Sequence, residues 1–92
     1  MSDVGSLVTV EFYGVPRQRA GRAEMPIMAG TVAELLAVVE RDCPGLAGLR
    51  RSDGRLAAHY LLSIDGRQFV TDMGQVLRPG DRVLLLSADA GG

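Results

Sequence analysis

Residues 31–45 read TVAELLAVVERDCPG and give the strongest indication of the fold of this chain. Thr31 and Glu34 have the spacing of a capping box, in which a hydroxyl and a carboxylate each satisfy a free backbone N–H at a helix start. Apolar residues then follow the i, i+3, i+4, i+7 spacing of a helix with one buried face, and a proline–glycine pair ends it. The stretch predicts a helix near 32–42 with these core residues: Val32, Leu35, Leu36 and Val39.

Extended segments precede this helix. Residues 7–13 are rich in β-branched and aromatic residues and predict a strand. Residues 23–29 predict a second strand, whose Pro26 cannot donate a hydrogen bond to a neighbour and therefore indicates an edge position. Between them, residues 14–22 are polar and contain two glycines and a proline, which predicts a hairpin-type loop.

Three further strands are predicted after the helix. Two β-type runs flank Asp65-Gly66, a dipeptide that strongly favours a hairpin turn. The apolar run at 82–86 is typical of a central strand covered on one face by a helix. The order β-β-α-β-β-β predicts an α+β fold, with one main helix packed on a mixed sheet of about five strands.

The composition limits the classes of function that fit this chain. The chain has 92 residues, enough for one domain, and a net charge of −1 with few aromatic residues, which gives no indication of nucleic-acid binding. One cysteine and one histidine exclude an internal disulfide and a His/Cys zinc site, so we interpret Cys43 as a structural thiol and His59 as a surface residue. The absence of a signal-peptide pattern and of any apolar run near ~20 residues predicts a cytoplasmic protein without a membrane anchor.

The chain ends in a diglycine, Gly91-Gly92. Two residues without Cβ atoms let a terminal carboxylate enter a narrow channel and adopt backbone angles closed to other residues. A frayed end explains two glycines equally well when they are taken alone. We predict a single domain over 1–92 whose residues 87–92 form a flexible tail.

These features together resemble the ThiS/MoaD family of ubiquitin-like β-grasp sulfur carriers. The resemblance rests on the element order, the LRPGDRV turn at 77–83 and the terminal diglycine, and it covers residues 7–92. VEFYGVPR at 10–17 is similar to the first strand and loop of the molybdopterin synthase small-subunit branch. The chain departs from the family by having Asp65 where asparagine is frequent, and by lacking prolines before the diglycine.

The resemblance implies that Gly92, preceded by Gly91, is adenylated and converted to a thiocarboxylate. ATP and Mg²⁺ would then belong to a partner, and this chain would hold no nucleotide, metal or other cofactor. The implied partners are an adenylating activating enzyme, a sulfur-donor enzyme, and either the large subunit of a molybdopterin synthase or another sulfur-accepting enzyme. The family also implies an exposed docking patch at or near Tyr13, Phe69 and Leu86, with Arg17 as a further contact. From the residues alone, the first three could equally be core and Arg17 a solvated side chain.

Two other functions stay open. The chain could be a protein modifier that forms isopeptides through Gly92, or a non-catalytic β-grasp interaction module with an inert tail. The sequence contains no lysine, so self-conjugation through side-chain amines is excluded, whereas conjugation to other proteins is not. The recipient of the sulfur is also open among molybdenum or tungsten cofactor, thiamine, cysteine and secondary metabolism, as is whether proteolysis exposes the diglycine.

Overall fold

A computed structural model of the chain describes residues 5–88 and consists of a five-stranded mixed sheet with a long helix on one face. The strand order is β2-β1-β5-β3-β4, in which β1 and β5 are parallel and all other neighbours antiparallel. This architecture confirms the predicted α+β class. The elements are β1 (Ser6–Phe12), α1 (Val15–Ala20), β2 (Glu24–Ala29), α2 (Val32–Asp42), a 3₁₀ turn (Pro44–Leu46), β3 (Tyr60–Ile64), β4 (Gln68–Phe69) and β5 (Arg82–Ser87).

The predicted helix is α2, and its bounds agree with the prediction. The Thr31 hydroxyl accepts a hydrogen bond from the Glu34 N–H at 3.3 Å. The Glu34 carboxylate reaches back one residue further than a standard capping box and accepts from the Gly30 N–H at 2.6 Å. Within residues 5–88, no helix is long and apolar enough to cross a membrane.

The core lies between α2 and the sheet. All four predicted helix residues have no solvent exposure, which confirms the direction of the buried face. The parallel strands β1 and β5 contribute fully buried side chains to this core: Val8, Val10, Phe12, Val83 and Leu85.

The loop predicted over 14–22 is wrong, because residues 15–20 form the short helix α1. Pro16 lies in its first turn, where a missing N–H costs nothing. Gly21 closes the helix in the left-handed conformation, at φ 75°, and its N–H donates to the Arg17 carbonyl at 3.0 Å. Six residues bury too little apolar surface to give a helical periodicity. The spacing of Pro16 and Gly21, which suit the first turn and the end of a short helix, is the feature of the sequence that could have indicated α1.

Helix α1 is fixed at the end of the sheet where β5 finishes. A Cβ atom on Gly45 would lie 2.1 Å from the Arg19 carbonyl oxygen, so only glycine allows the 3₁₀ turn to approach α1 this closely. The Arg19 guanidinium also donates to the Tyr60 hydroxyl at 3.1 Å. These contacts hold α1 beside the end of β5.

Two local predictions are confirmed. Asp65 and Gly66 form the turn between β3 and β4, both with positive φ, at 56° and 69°. Pro26 lies in β2, which is an edge strand of the sheet.

Candidate functional site

The sheet has one covered face and one open face. Side chains alternate between the two faces along each strand, so the neighbours of the core residues point away from α2. The strand register aligns these outward residues from one strand to the next. One row across the open face joins four adjacent strands through Glu11, Leu84, Ser63 and Phe69.

The open face carries a group of large apolar residues that we call the apolar patch: Tyr13, Leu61, Phe69, Leu84 and Leu86. Leu61 and Leu86 are register partners, and Phe69 is 64% exposed at the sheet edge. The Tyr13 N–H donates to the Leu85 carbonyl at 3.0 Å, which brings Tyr13 level with Leu86. Contiguous exposed apolar surface on a small domain usually marks an interface.

Charged residues beside the apolar patch hold the Tyr13 side chain in place. Its hydroxyl donates to the Glu11 carboxylate at 2.6 Å, and Arg82 forms ion pairs with both Glu11 and Glu24. The bond from Tyr13, together with Arg82, holds the pKa of Glu11 below its usual value. The same hydrogen bond raises the pKa of Tyr13, because only the protonated phenol can donate to the Glu11 carboxylate.

Arg17 is close to Tyr13 but outside the apolar patch. It is exposed on α1 and lines a groove together with Glu11, Tyr13 and Glu24. The structure therefore places Tyr13, Phe69 and Leu86 on one face of the sheet and Arg17 at the rim of that face. Their role in partner binding stays a prediction.

Strand β5 ends at the same end of the sheet as Tyr13. Ser87 is the last residue of β5 and pairs with Tyr60, and the Ala88 N–H donates to the His59 carbonyl at 2.8 Å. These two residues, assigned by the sequence to the tail, thus belong to the sheet or bond to it. The predicted reactive residues Gly91 and Gly92 lie outside the described residues.

Cys43 and His59 are the other side chains considered for chemistry, and their surroundings agree with the interpretation of both as structural or surface residues. Cys43 is buried against Met25, with a distance of 3.8 Å between the two sulfur atoms, and burial raises the pKa of the thiol. His59 is exposed, and its ring lies beside that of Tyr60. In the part of the chain that the structure describes, no cluster of three or more His, Cys, Asp or Glu could hold a metal ion.

Sequence reasoning missed Leu61 and Leu84 as members of the apolar patch. The run at 82–86 is predicted to be a central strand covered on one face by the helix, but its consecutive leucines do not show which of them face that helix. Alternation was the available signal: Val83 and Leu85 are fully buried against α2, while Leu84 and Leu86 are only partly buried on the open face.

The apolar patch leads to the first testable prediction. Replacing Leu86 by Glu should weaken the binding of an activating or sulfur-accepting partner at least ~10-fold, because a charge at the centre of an apolar interface must be desolvated. Titration calorimetry with the purified partner measures the loss. Phe69→Glu should act in the same direction, and it tests the patch at a more exposed position.

Leu7→Glu is the matched control, because Leu7 is an exposed leucine on the open face at the opposite end of β1. It should bind as the unmodified protein does. Far-ultraviolet circular dichroism should show that all three variants fold. If Leu86→Glu and Phe69→Glu bind normally, or if both unfold, the patch is not a docking surface.

Solved structures similar to this chain are small ubiquitin-like proteins. Small archaeal modifier protein 1 of Haloferax volcanii matches with a TM-score of 0.80 and 20% identity, over 95% of this chain and 100% of that one. CysO in the Amycolatopsis orientalis BexX/CysO complex matches at 0.77 and 22%, over 92% and 99%. The Helicobacter pylori complex of subunits 1 and 2 of molybdopterin-converting factor matches at 0.67 and 21%, over 94% and 99%.

These comparisons establish the β-grasp fold of the chain. The matches cover almost the whole of each neighbour, so the fold is shared along the full domain and not only over a fragment. No protein-family model matches the sequence, and no curated protein matches it either. The fold predicted from the resemblance to the sulfur carriers is thereby confirmed.

Proposed function

We propose that this chain is a sulfur carrier of the ThiS/MoaD type whose Gly92 carboxylate is the reactive group. The main support is the short stretch of sequence between the end of β5 and the diglycine. Strand β5 ends beside the apolar patch, and Gly92 is the fourth residue after Ala88. Four extended residues reach at most about 14 Å, so a partner seated on the patch could hold the carboxylate in its own active site.

The proposed chemistry activates a carboxylate that is otherwise a poor electrophile. A Gly92 oxygen attacks the α-phosphorus of ATP in the activating enzyme, pyrophosphate leaves, and an acyl-adenylate forms. Sulfide then attacks the carbonyl carbon and AMP leaves, which gives a C-terminal thiocarboxylate. If a protein persulfide is the nucleophile, a second thiol must cleave the resulting S–S bond. The chain is a protein cosubstrate in this scheme, while ATP and Mg²⁺ are held by the partner.

We propose that partners dock on the apolar patch. Two of the similar structures are complexes, BexX/CysO and the paired subunits of molybdopterin-converting factor, which supports a protein partner for this chain. The second of these names supports a molybdopterin synthase large subunit as one candidate recipient of the sulfur.

A protein-modifier function is the second candidate. It is favoured by the similarity to small archaeal modifier protein 1 and to Urm1 from Trypanosoma brucei. It requires the same activation of Gly92 but a different acceptor, the amine of another protein. The chain itself offers no lysine as acceptor.

Mass spectrometry of the intact protein separates these functions. We expect protein ending in Gly92, isolated from cells that contain the activating and sulfur-donor enzymes, to include a species heavier by one sulfur-for-oxygen exchange. The same protein without Gly91 and Gly92 should lack this species. A ladder of covalent conjugates in place of the exchange would favour the modifier. An unchanged mass under these conditions would contradict both functions and leave the interaction module.

A further inference from the structure

A pocket of about 260 Å³ lies at the edge of β3 opposite to the edge that pairs with β5. Strand β4 pairs only with Ser63 and Ile64. Further along this edge, the Leu62 carbonyl accepts from the Val70 N–H at 2.9 Å and the Tyr60 N–H donates to the Ala57 carbonyl at 3.0 Å. Residues from the segment 51–58 lie beside the first half of β3 and line one side of the pocket.

The lining of this pocket is apolar at the bottom. Leu61 and Phe69, which are exposed members of the apolar patch, lie at its rim, so the pocket continues the patch around the sheet edge. The buried or partly buried residues that line it are Leu56, Ala57, Tyr60, Leu62, Val70 and Met73.

The charged groups that line the pocket are both arginines. Arg51 contacts Asp53 at 3.0 Å, and both side chains of that pair are about half exposed, so its charge is only partly neutralised. Among the described residues, the Arg55 guanidinium has no ion-pair partner. The lining therefore carries a local excess of positive charge on a chain whose net charge is −1.

The two arginines are held in place by a tight turn. The Arg51 N–H donates to the Arg55 carbonyl at 2.6 Å, and the Gly54 N–H donates to the Arg51 carbonyl at 2.9 Å. Arg50 anchors this turn to α2, because both its guanidinium, at 2.8 Å, and its backbone N–H, at 2.9 Å, contact the Glu40 carboxylate. A site that is already ordered loses little conformational entropy when a ligand binds.

We propose that this pocket binds an extended segment of a partner protein in which acidic and apolar residues alternate. One apolar side chain would enter the pocket between Leu61 and Phe69, and a neighbouring carboxylate would pair with Arg55. A guanidinium matches a carboxylate in both charge and shape, whereas an ammonium group would be repelled. This binding does not involve Gly92 itself, although Leu61 and Phe69 also belong to the apolar patch.

The test uses the full ¹⁵N-labelled chain and a peptide of sequence Asp-Leu-Glu-Leu-Asp with acetylated and amidated ends. We expect its amide resonance shifts to be concentrated in residues 57–62 and 69–73. The peptide Lys-Leu-Lys-Leu-Lys, which has the same leucines, should bind at least ~10-fold more weakly, since its charges are repelled. Equal binding of both peptides, or shifts concentrated elsewhere, would refute the proposal.

Charge-reversal variants locate the site. Arg55→Glu should weaken the binding of the acidic peptide about 10-fold, while Arg78→Glu, an exposed arginine outside this pocket, should leave it unchanged. Deleting residues 89–92 should also leave the affinity unchanged. Equal losses in the two arginine variants would mean that the peptide responds only to overall charge. A gain on deleting 89–92 would mean that the chain's own end occupies the pocket.

Discussion

Replacing Leu35 by Ala should lower the free energy of unfolding by about 2–5 kcal/mol, the range measured when large aliphatic side chains are removed from protein cores. Leu35 has no solvent exposure and lies on the face of α2 that packs on the sheet. Alanine favours the helix, so the loss has to come from packing and from the cavity that remains. Chemical denaturation followed by circular dichroism measures the change.

Leu7→Ala is the control for this measurement. Leu7 is 57% exposed in β1, so its truncation should change stability by no more than about 0.5 kcal/mol. A small domain has a total stability of only about 5–15 kcal/mol, and the Leu35 variant should therefore unfold at clearly lower denaturant concentration. If the two variants are equally stable, α2 does not form the core described above.

Local sequence patterns predict helix α2 and the turn between β3 and β4 well. The capping residues, the helical stripe and the Asp65-Gly66 turn each depend on neighbours within a few positions, and all of them have the expected structure. The resemblance to β-grasp sulfur carriers added the type of fold. The order of the strands in the sheet was not predicted, because no local pattern shows that β1 and β5, far apart in sequence, are parallel neighbours.

The features that the sequence did not predict depend on contacts between distant segments. Helix α1 is too short to show a periodicity, and its position depends on the close approach of Gly45 to Arg19. The apolar patch combines Leu61 with Leu84 and Leu86 only through the pairing of β3 with β5. The ion pairs of Arg82 with Glu11 and Glu24 likewise join three strands, so they could not be read from spacing.

The second large effect is expected at the end of the chain. Replacing Gly92 by Ala should reduce adenylation about 100-fold or more, with little change in thermal stability. The variant keeps the carboxylate, but it adds a Cβ atom next to the reacting carbon and restricts the backbone angles available there. A displacement of about 1 Å in a reacting group is enough to cost a factor of this size. ATP–pyrophosphate exchange catalysed by the cognate activating enzyme measures the loss.

The control is Ala90→Gly, which keeps the length of the chain and its terminal carboxylate and removes a Cβ atom two residues earlier. It should support nearly normal exchange, because the proposal requires glycine only where the carboxylate is activated. Stability should be equal in both variants and in the unmodified protein, since the core described above lies between α2 and the sheet. Normal exchange from Gly92→Ala would mean that the diglycine is incidental. A loss confined to Gly92→Ala, with Leu86→Glu lowering partner affinity independently, would separate the reacting end of the carrier from its docking face.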